Sequence, residues 1–173
     1  MLMQIPPPKQ RRRAGGVSLY LLQRHLERFT DARLDRAIQD AWHKEYDPVE
    51  FYSVAIPHEH GAIIHAFGAE FEVKHCKYPM GWTRLGDGPL PFWAEHAAFT
   101  MLEYRCDKEP ALAERIKAYR GLAMLAAELA GDETTGFFFP YEQILLPNSL
   151  AVSDAFRAKG PLDPHALADL KEY

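Results

Sequence analysis

The chain has 173 residues, enough for one domain with its own core, and its 47% apolar and 25% charged residues argue against a wholly disordered chain. The formal net charge of −4 provides no overall field for nucleic acid or anionic lipid. Nor does any apolar run approach the roughly 18 residues that a membrane-spanning helix needs.

Two cysteines, Cys76 and Cys106, form no C-x-x-C pair and suggest no disulfide framework. The N-terminal stretch MLMQIPPPKQRRRAGG has no apolar stretch after a basic one, so it does not read as a secretory signal. A reducing bacterial cytosol is the expected setting. Prolines, like charges and paired glycines make residues 1–16 read as a flexible tail, with one domain over 17–173.

Val17 to Gln23 (VSLYLLQ) is rich in strand formers and predicts a buried strand. Thr30 or Asp31 offers a cap for a helix whose apolar positions are Leu34, Ile38, Ala41 and Trp42, ended by Asp47-Pro48. Phe51 to Ile56 and Ala62 to Phe67 read as a hairpin around Pro57 to Gly61. Phe71 to Cys76 reads as a continuation of that second strand beyond a kink at Gly68.

Residues 77–96 form a Gly- and Pro-rich loop that carries Trp82, Phe92 and Trp93. Such aromatics predict a loop packed back over a groove or an edge. Ala97 to Tyr104 is the next strand. A long helix entered through Asp107 and Pro110 follows, with a stripe of Leu112, Ile116, Tyr119 and Ala123 and a stop at Gly131. Gly136 to Phe139 and Ile144 to Leu146 form a second hairpin, and residues 148–173 read as short helices.

Strand, helix and hairpin therefore occur twice, over 17–76 and 97–147. The turn at Pro57-His58-Glu59-His60 matches that at Pro140-Tyr141-Glu142-Gln143 at an offset of 83 residues. Two β–α–β–β units bury their apolar faces as tandem ferredoxin-like halves: an α+β fold of antiparallel sheets with helices on one face. With VSLYLLQ, AAFTMLEYR, the long helix and GFFFPYEQILLP, the chain resembles, over Val17 to Ser149, uncharacterised bacterial α+β domains with duplicated halves, some encoded near toxin–immunity loci. The resemblance implies the duplicated fold and transfers no catalytic residue.

The densest polar cluster is His58-Glu59-His60 with His65, His75 and Cys76 beyond. His58 and His60 share a face if they lie on a strand, and a third ligand from His65, His75 or Cys76 would complete a site for zinc, iron or nickel. An exposed polar hairpin tip accounts for the same residues, and Tyr141 and Gln143 in the second turn exclude a duplicated metal site. Glu59 and Glu142 hold equivalent turn positions and would pair for acid–base work only if the turns met in one cleft. The cysteines read as buried thiols, and no nucleophile elbow or phosphate loop is present.

The sequence-based expectation is thus a non-enzymatic binding module of immunity or regulatory type. Its partner is another protein, met through Trp82, Phe92, Trp93, Glu59, Tyr141 and Glu142, with no nucleic acid, membrane or cofactor, and self-association left open. The alternatives are a metal-dependent enzyme or binder built on the histidines, and a ligand-binding regulator using a cleft between the halves.

Overall fold

The computed structural model describes residues 16–45, 47–56, 61–81 and 91–171. These hold seven strands in a single antiparallel sheet: β1 (Val17–Gln23), β2 (Phe51–Ile56), β3 (Gly61–Ala66), β4 (Ala69–Cys76), β5 (Ala98–Tyr104), β6 (Thr134–Phe139) and β7 (Ile144–Pro147). The helices are α1 (Asp31–Trp42), the short α2 (Pro91–Ala94), α3 (Leu112–Leu129) and α4 (Leu150–Arg157), followed by a 3-10 helix at Pro164–Lys171.

The strand order β2-β3-β4-β5-β1-β6-β7 puts β1 in the interior of the sheet, between β5 and β6. All seven residues of β1 are buried, which is why VSLYLLQ is an apolar run and not an alternation. Thr30 caps α1 by accepting from the Arg33 N–H through Oγ1 at 3.3 Å, and His43 ends the helix at a positive φ of 53°. The helix therefore stops before Asp47-Pro48, where the sequence had suggested its end.

β4 corrects a second expectation. Phe67 and Gly68, at φ 51° and 76°, reverse the chain as a two-residue turn, so β3 and β4 pair as a hairpin and do not form one kinked strand. Glycine takes this backbone freely, but a phenylalanine does not. α3 starts at Leu112, later than Asp107 and Pro110 suggested, and lacks a side-chain cap. Leu112, placed in the apolar stripe by spacing, is 74% exposed because the first turn runs beyond the sheet; Tyr119, Leu122 and Ala126 carry the buried stripe.

The twofold recurrence of strand, helix and hairpin holds in chain order. In the sheet the two hairpins stand in unlike places. β6 pairs with β1 directly, whereas β4 lies between the β2–β3 hairpin and β5. The halves contribute to one continuous sheet, and the offset of 83 residues does not relate neighbouring strands.

α1, α3 and α4 cover one face of the sheet and enclose the large core, in which Phe137, Phe139 and Phe156 meet edge to face. The opposite face has a smaller apolar cluster of Tyr20, Leu22, Phe99, Phe138 and Leu145, capped by Trp93 and Met80. Met80 and Trp93, the described residues of the loop segment after β4 that reach this cluster, pack against the sheet.

Candidate functional site

Among the described residues, those singled out from sequence do not converge on one site. Cross-strand register puts His65 on the sheet face away from α1 and α3, stacked on Tyr52 at 4.4 Å and 3.5 Å from Glu70. His75 points to the other face. Its Nε2 accepts from the Phe29 N–H at 3.2 Å, so Nδ1 bears the proton and donates to Thr100 Oγ1 at 2.9 Å. Both ring nitrogens are therefore occupied by the chain. His58, Glu59, His60 and Trp82 lie outside the described residues, as does the side chain of Phe92. Among the described residues no group of three His, Cys, Asp or Glu side chains is placed to hold a metal ion.

Trp93, expected as a partner anchor, is 6% exposed and lies edge-on to Phe138 at 5.4 Å. Its role is to cover the second cluster. His96 fixes that segment, taking the Met80 N–H at Nε2 (3.0 Å) and donating from Nδ1 to the Trp93 carbonyl. Cys76 is half-buried with Sγ 3.9 Å from Met101 Sδ, and burial pushes its thiol pKa up, away from reactivity.

Glu142 is a fastener. Its Oε1 accepts from Arg115 Nη2 at 2.8 Å and from Tyr119 Oη at 3.0 Å, while Oε2 pairs with His165 Nε2 at 2.9 Å. These bonds tie the β6–β7 turn to α3 and to the C-terminal 3-10 helix. Burial alone would raise the carboxyl pKa; the hydrogen bonds from Arg115, Tyr119 and His165 outweigh it and hold the group below its ordinary value of 4.5. Neighbouring Tyr141 is 48% exposed, with its ring against Gly16.

A recess of about 610 Å³ lies elsewhere, among the described residues of the helix-bearing face. α1 approaches α3 along its length, but toward Trp42 and the β3–β4 tip a gap opens beside the middle of α3. Glu114, Lys117, Ala118, Gly121 and Met124 of α3 line it. This i, i+3, i+4, i+7, i+10 stripe runs about 15 Å along the helix at 1.5 Å per residue. Trp42, Phe71, Ala66 and Ala69 make the floor and the opposite wall. Small side chains at 66, 69, 118 and 121 leave the space; a Cβ at Gly121 would meet Phe71 Cζ at 2.9 Å.

Phe67 stands on the rim, 54% exposed and at positive φ, with its ring 5.1 Å from Phe51 and the Lys44 ammonium 5.2 Å above it. A bulky residue in that conformation costs about 1–2 kcal/mol, and such a cost points to use. Val49 precedes Glu50, whose carbonyl accepts from the Phe67 N–H, and is 79% exposed.

The polar groups of the rim are tied into the fold. Arg120 donates to the carbonyls of Ala155, Phe156 and Gly160 at 2.6–2.8 Å, satisfying the end of α4. Arg157 pairs with Glu128 at 2.8 Å. Tyr104 donates to Glu114 at 2.6 Å, and burial together with that bond pushes its phenol up to about 12. Gly68, Ala69 and Tyr104 also border a smaller polar recess of about 430 Å³ that holds Cys106 and Asp107 and where Arg105 pairs with Glu70 at 3.4 Å.

Sequence reasoning missed the groove, and no local signal encodes it: its lining comes from five segments that meet only in the fold. The one available hint was Phe67 before Gly68, at a turn position that favours glycine or asparagine. Compared with known protein families, curated proteins and solved structures, the chain matches none.

Proposed function

We propose that the protein is a non-enzymatic binding module that recognises another protein through the groove between α3 and the β3–β4 tip. Immunity or regulatory work in a bacterial cytosol is the setting this reading adopts from the sequence, together with a duplicated, ferredoxin-like origin of its halves. The observation that carries the reading is the groove itself: an apolar trough flanked by a strained, half-exposed Phe67. Interfaces of this kind seat an apolar anchor at their centre and keep polar groups at the rim.

One further fact supports binding over catalysis. Tyr104, Glu114, Arg120 and Arg157 around the groove serve structural bonds, and none of these is set as a nucleophile beside a base. Among the described residues no helix is long and apolar enough to cross a membrane. The metal-dependent alternative needs His58 and His60 with one of His65, His75 or Cys76; of these, His75 has both ring nitrogens engaged by the chain, His65 stacks on Tyr52, and burial raises the Cys76 thiol.

The test is quantitative affinity capture from native lysate with three baits: wild type, Phe67→Ala and Ala158→Trp. Ala158 is exposed and lines the groove, so tryptophan there obstructs the mouth without entering the core. The reading expects at least one protein retained in near-stoichiometric amount by wild type and lost by both variants. Identical capture by all three baits would contradict it.

A further inference from the structure

The groove has a charge that the molecule as a whole does not. The chain has 24 acidic residues against 20 lysines and arginines, yet the groove lining contains Lys117, Arg120, Arg157 and Lys159 against the single acid Glu114. Glu128 cancels Arg157. Arg120 is bonded only to carbonyls, so its charge is not offset by a carboxylate. Lys117 and Lys159 are exposed. Lys44, over the Phe67 ring, adds one more positive charge at the hairpin end. The acids Glu70 and Asp107 line the smaller recess beyond Tyr104.

Shape narrows the occupant further. The stripe on α3 runs about three turns, near 15 Å, which suits an elongated segment better than a compact molecule. The chain's own N-terminal sequence, with Lys9 and Arg11 to Arg13, has the wrong sign for this rim.

Resting on the binding reading above, we infer that the occupant of the groove is an acidic amphipathic segment of the partner protein, its apolar side chains seated on Trp42, Met124 and the Phe67 ring at the rim and its carboxylates facing Lys117, Lys159 and Arg120. Opposite charges at a rim steer encounter and fix register, and apolar anchors supply the affinity.

A random 12-residue peptide library displayed on phage and selected on the full-length protein tests this. Clones are kept if they bind wild type and fail on Ala158→Trp. The inference expects these clones to be enriched in Asp and Glu around apolar residues spaced three or four apart. It also expects the best synthetic peptide to bind the Lys117→Glu/Lys159→Glu double variant roughly tenfold more weakly, since rim pairs are individually modest. Ala158-sensitive clones without an acidic excess would overturn the inference and leave the groove as the binding site. An absence of Ala158-sensitive clones would overturn both. Sedimentation of the protein alone gives the remaining outcome: a dimer dissolved by Ala158→Trp would make the occupant a second copy and overturn the acidic partner.

Discussion

The two flanks of α3 are built from similar materials and left in opposite states. On one flank, Arg115 and Tyr119 meet Glu142, which also holds His165, and every charge in that cluster has a partner within the chain. On the other, Glu114, Lys117, Ala118, Gly121 and Met124 border a trough with an apolar floor and no side chain of the described residues filling it. The first arrangement lowers the free energy of one chain by itself. The second leaves apolar surface that no described side chain covers.

The largest effect expected from breaking this contrast is at Glu142. Replacing it by alanine leaves the Arg115 guanidinium and the Tyr119 hydroxyl half-buried without their acceptor, and should cost about 2–3 kcal/mol in urea unfolding. Loss below about 0.5 kcal/mol would show that the cluster fastens nothing. His75→Ala comes next, at about 1–2 kcal/mol, because the Phe29 N–H and Thr100 hydroxyl lose their partner. Metal content measured before and after that substitution should not change, since the imidazole nitrogens are already engaged.

The pH dependence is smaller and has a definite sign. The Glu142 carboxyl titrates lower in the folded chain than its ordinary 4.5, so its stabilisation is complete above that value and is lost as pH falls through the folded-state value. The urea midpoint of wild type should drop on acidification below about pH 4.5 more steeply than that of Glu142→Gln. Parallel curves would remove Glu142 from the account.

Phe67→Asn should have the least effect on stability. Asparagine relieves about 1 kcal/mol of left-handed backbone cost and forfeits about as much in ring contacts with Phe51 and Lys44. The net change in thermal midpoint should be slight, while partner binding weakens by roughly tenfold or more, as expected for an anchor. A variant that is less stable yet binds normally would place Phe67 in the fold and not in the site.

What was legible in the sequence follows from how local each feature is. Runs such as VSLYLLQ and GFFF declare strands because their neighbours on both faces are apolar, and Thr30 declares a helix start through a bond three residues away. The reversal at Phe67-Gly68 was read as a kink because phenylalanine is foreign to such turns. Leu112 fitted a periodic stripe, but periodicity does not say where the sheet beneath the helix ends. The matched turns at Pro57 and Pro140 suggested paired carboxylates, yet Glu142 turned out to be engaged with Arg115, 27 residues upstream, and His165, 23 downstream. Trp93 lies in the loop expected to pack back on the domain, and its burial against Phe138 depends on a strand far away in sequence. The groove depends on how α1 and the β3–β4 tip stand away from α3, a tertiary property with no sequence motif.

The most direct test of the central contrast is saturation binding of the anionic, apolar dye 8-anilinonaphthalene-1-sulfonate to the native protein and two variants, followed by fluorescence. The account predicts saturable binding by wild type, the same affinity for Glu142→Gln despite its lower stability, and at least a roughly tenfold loss for Ala158→Trp at unchanged stability. Equal dye binding by Ala158→Trp and wild type would contradict the groove as the open site of this fold.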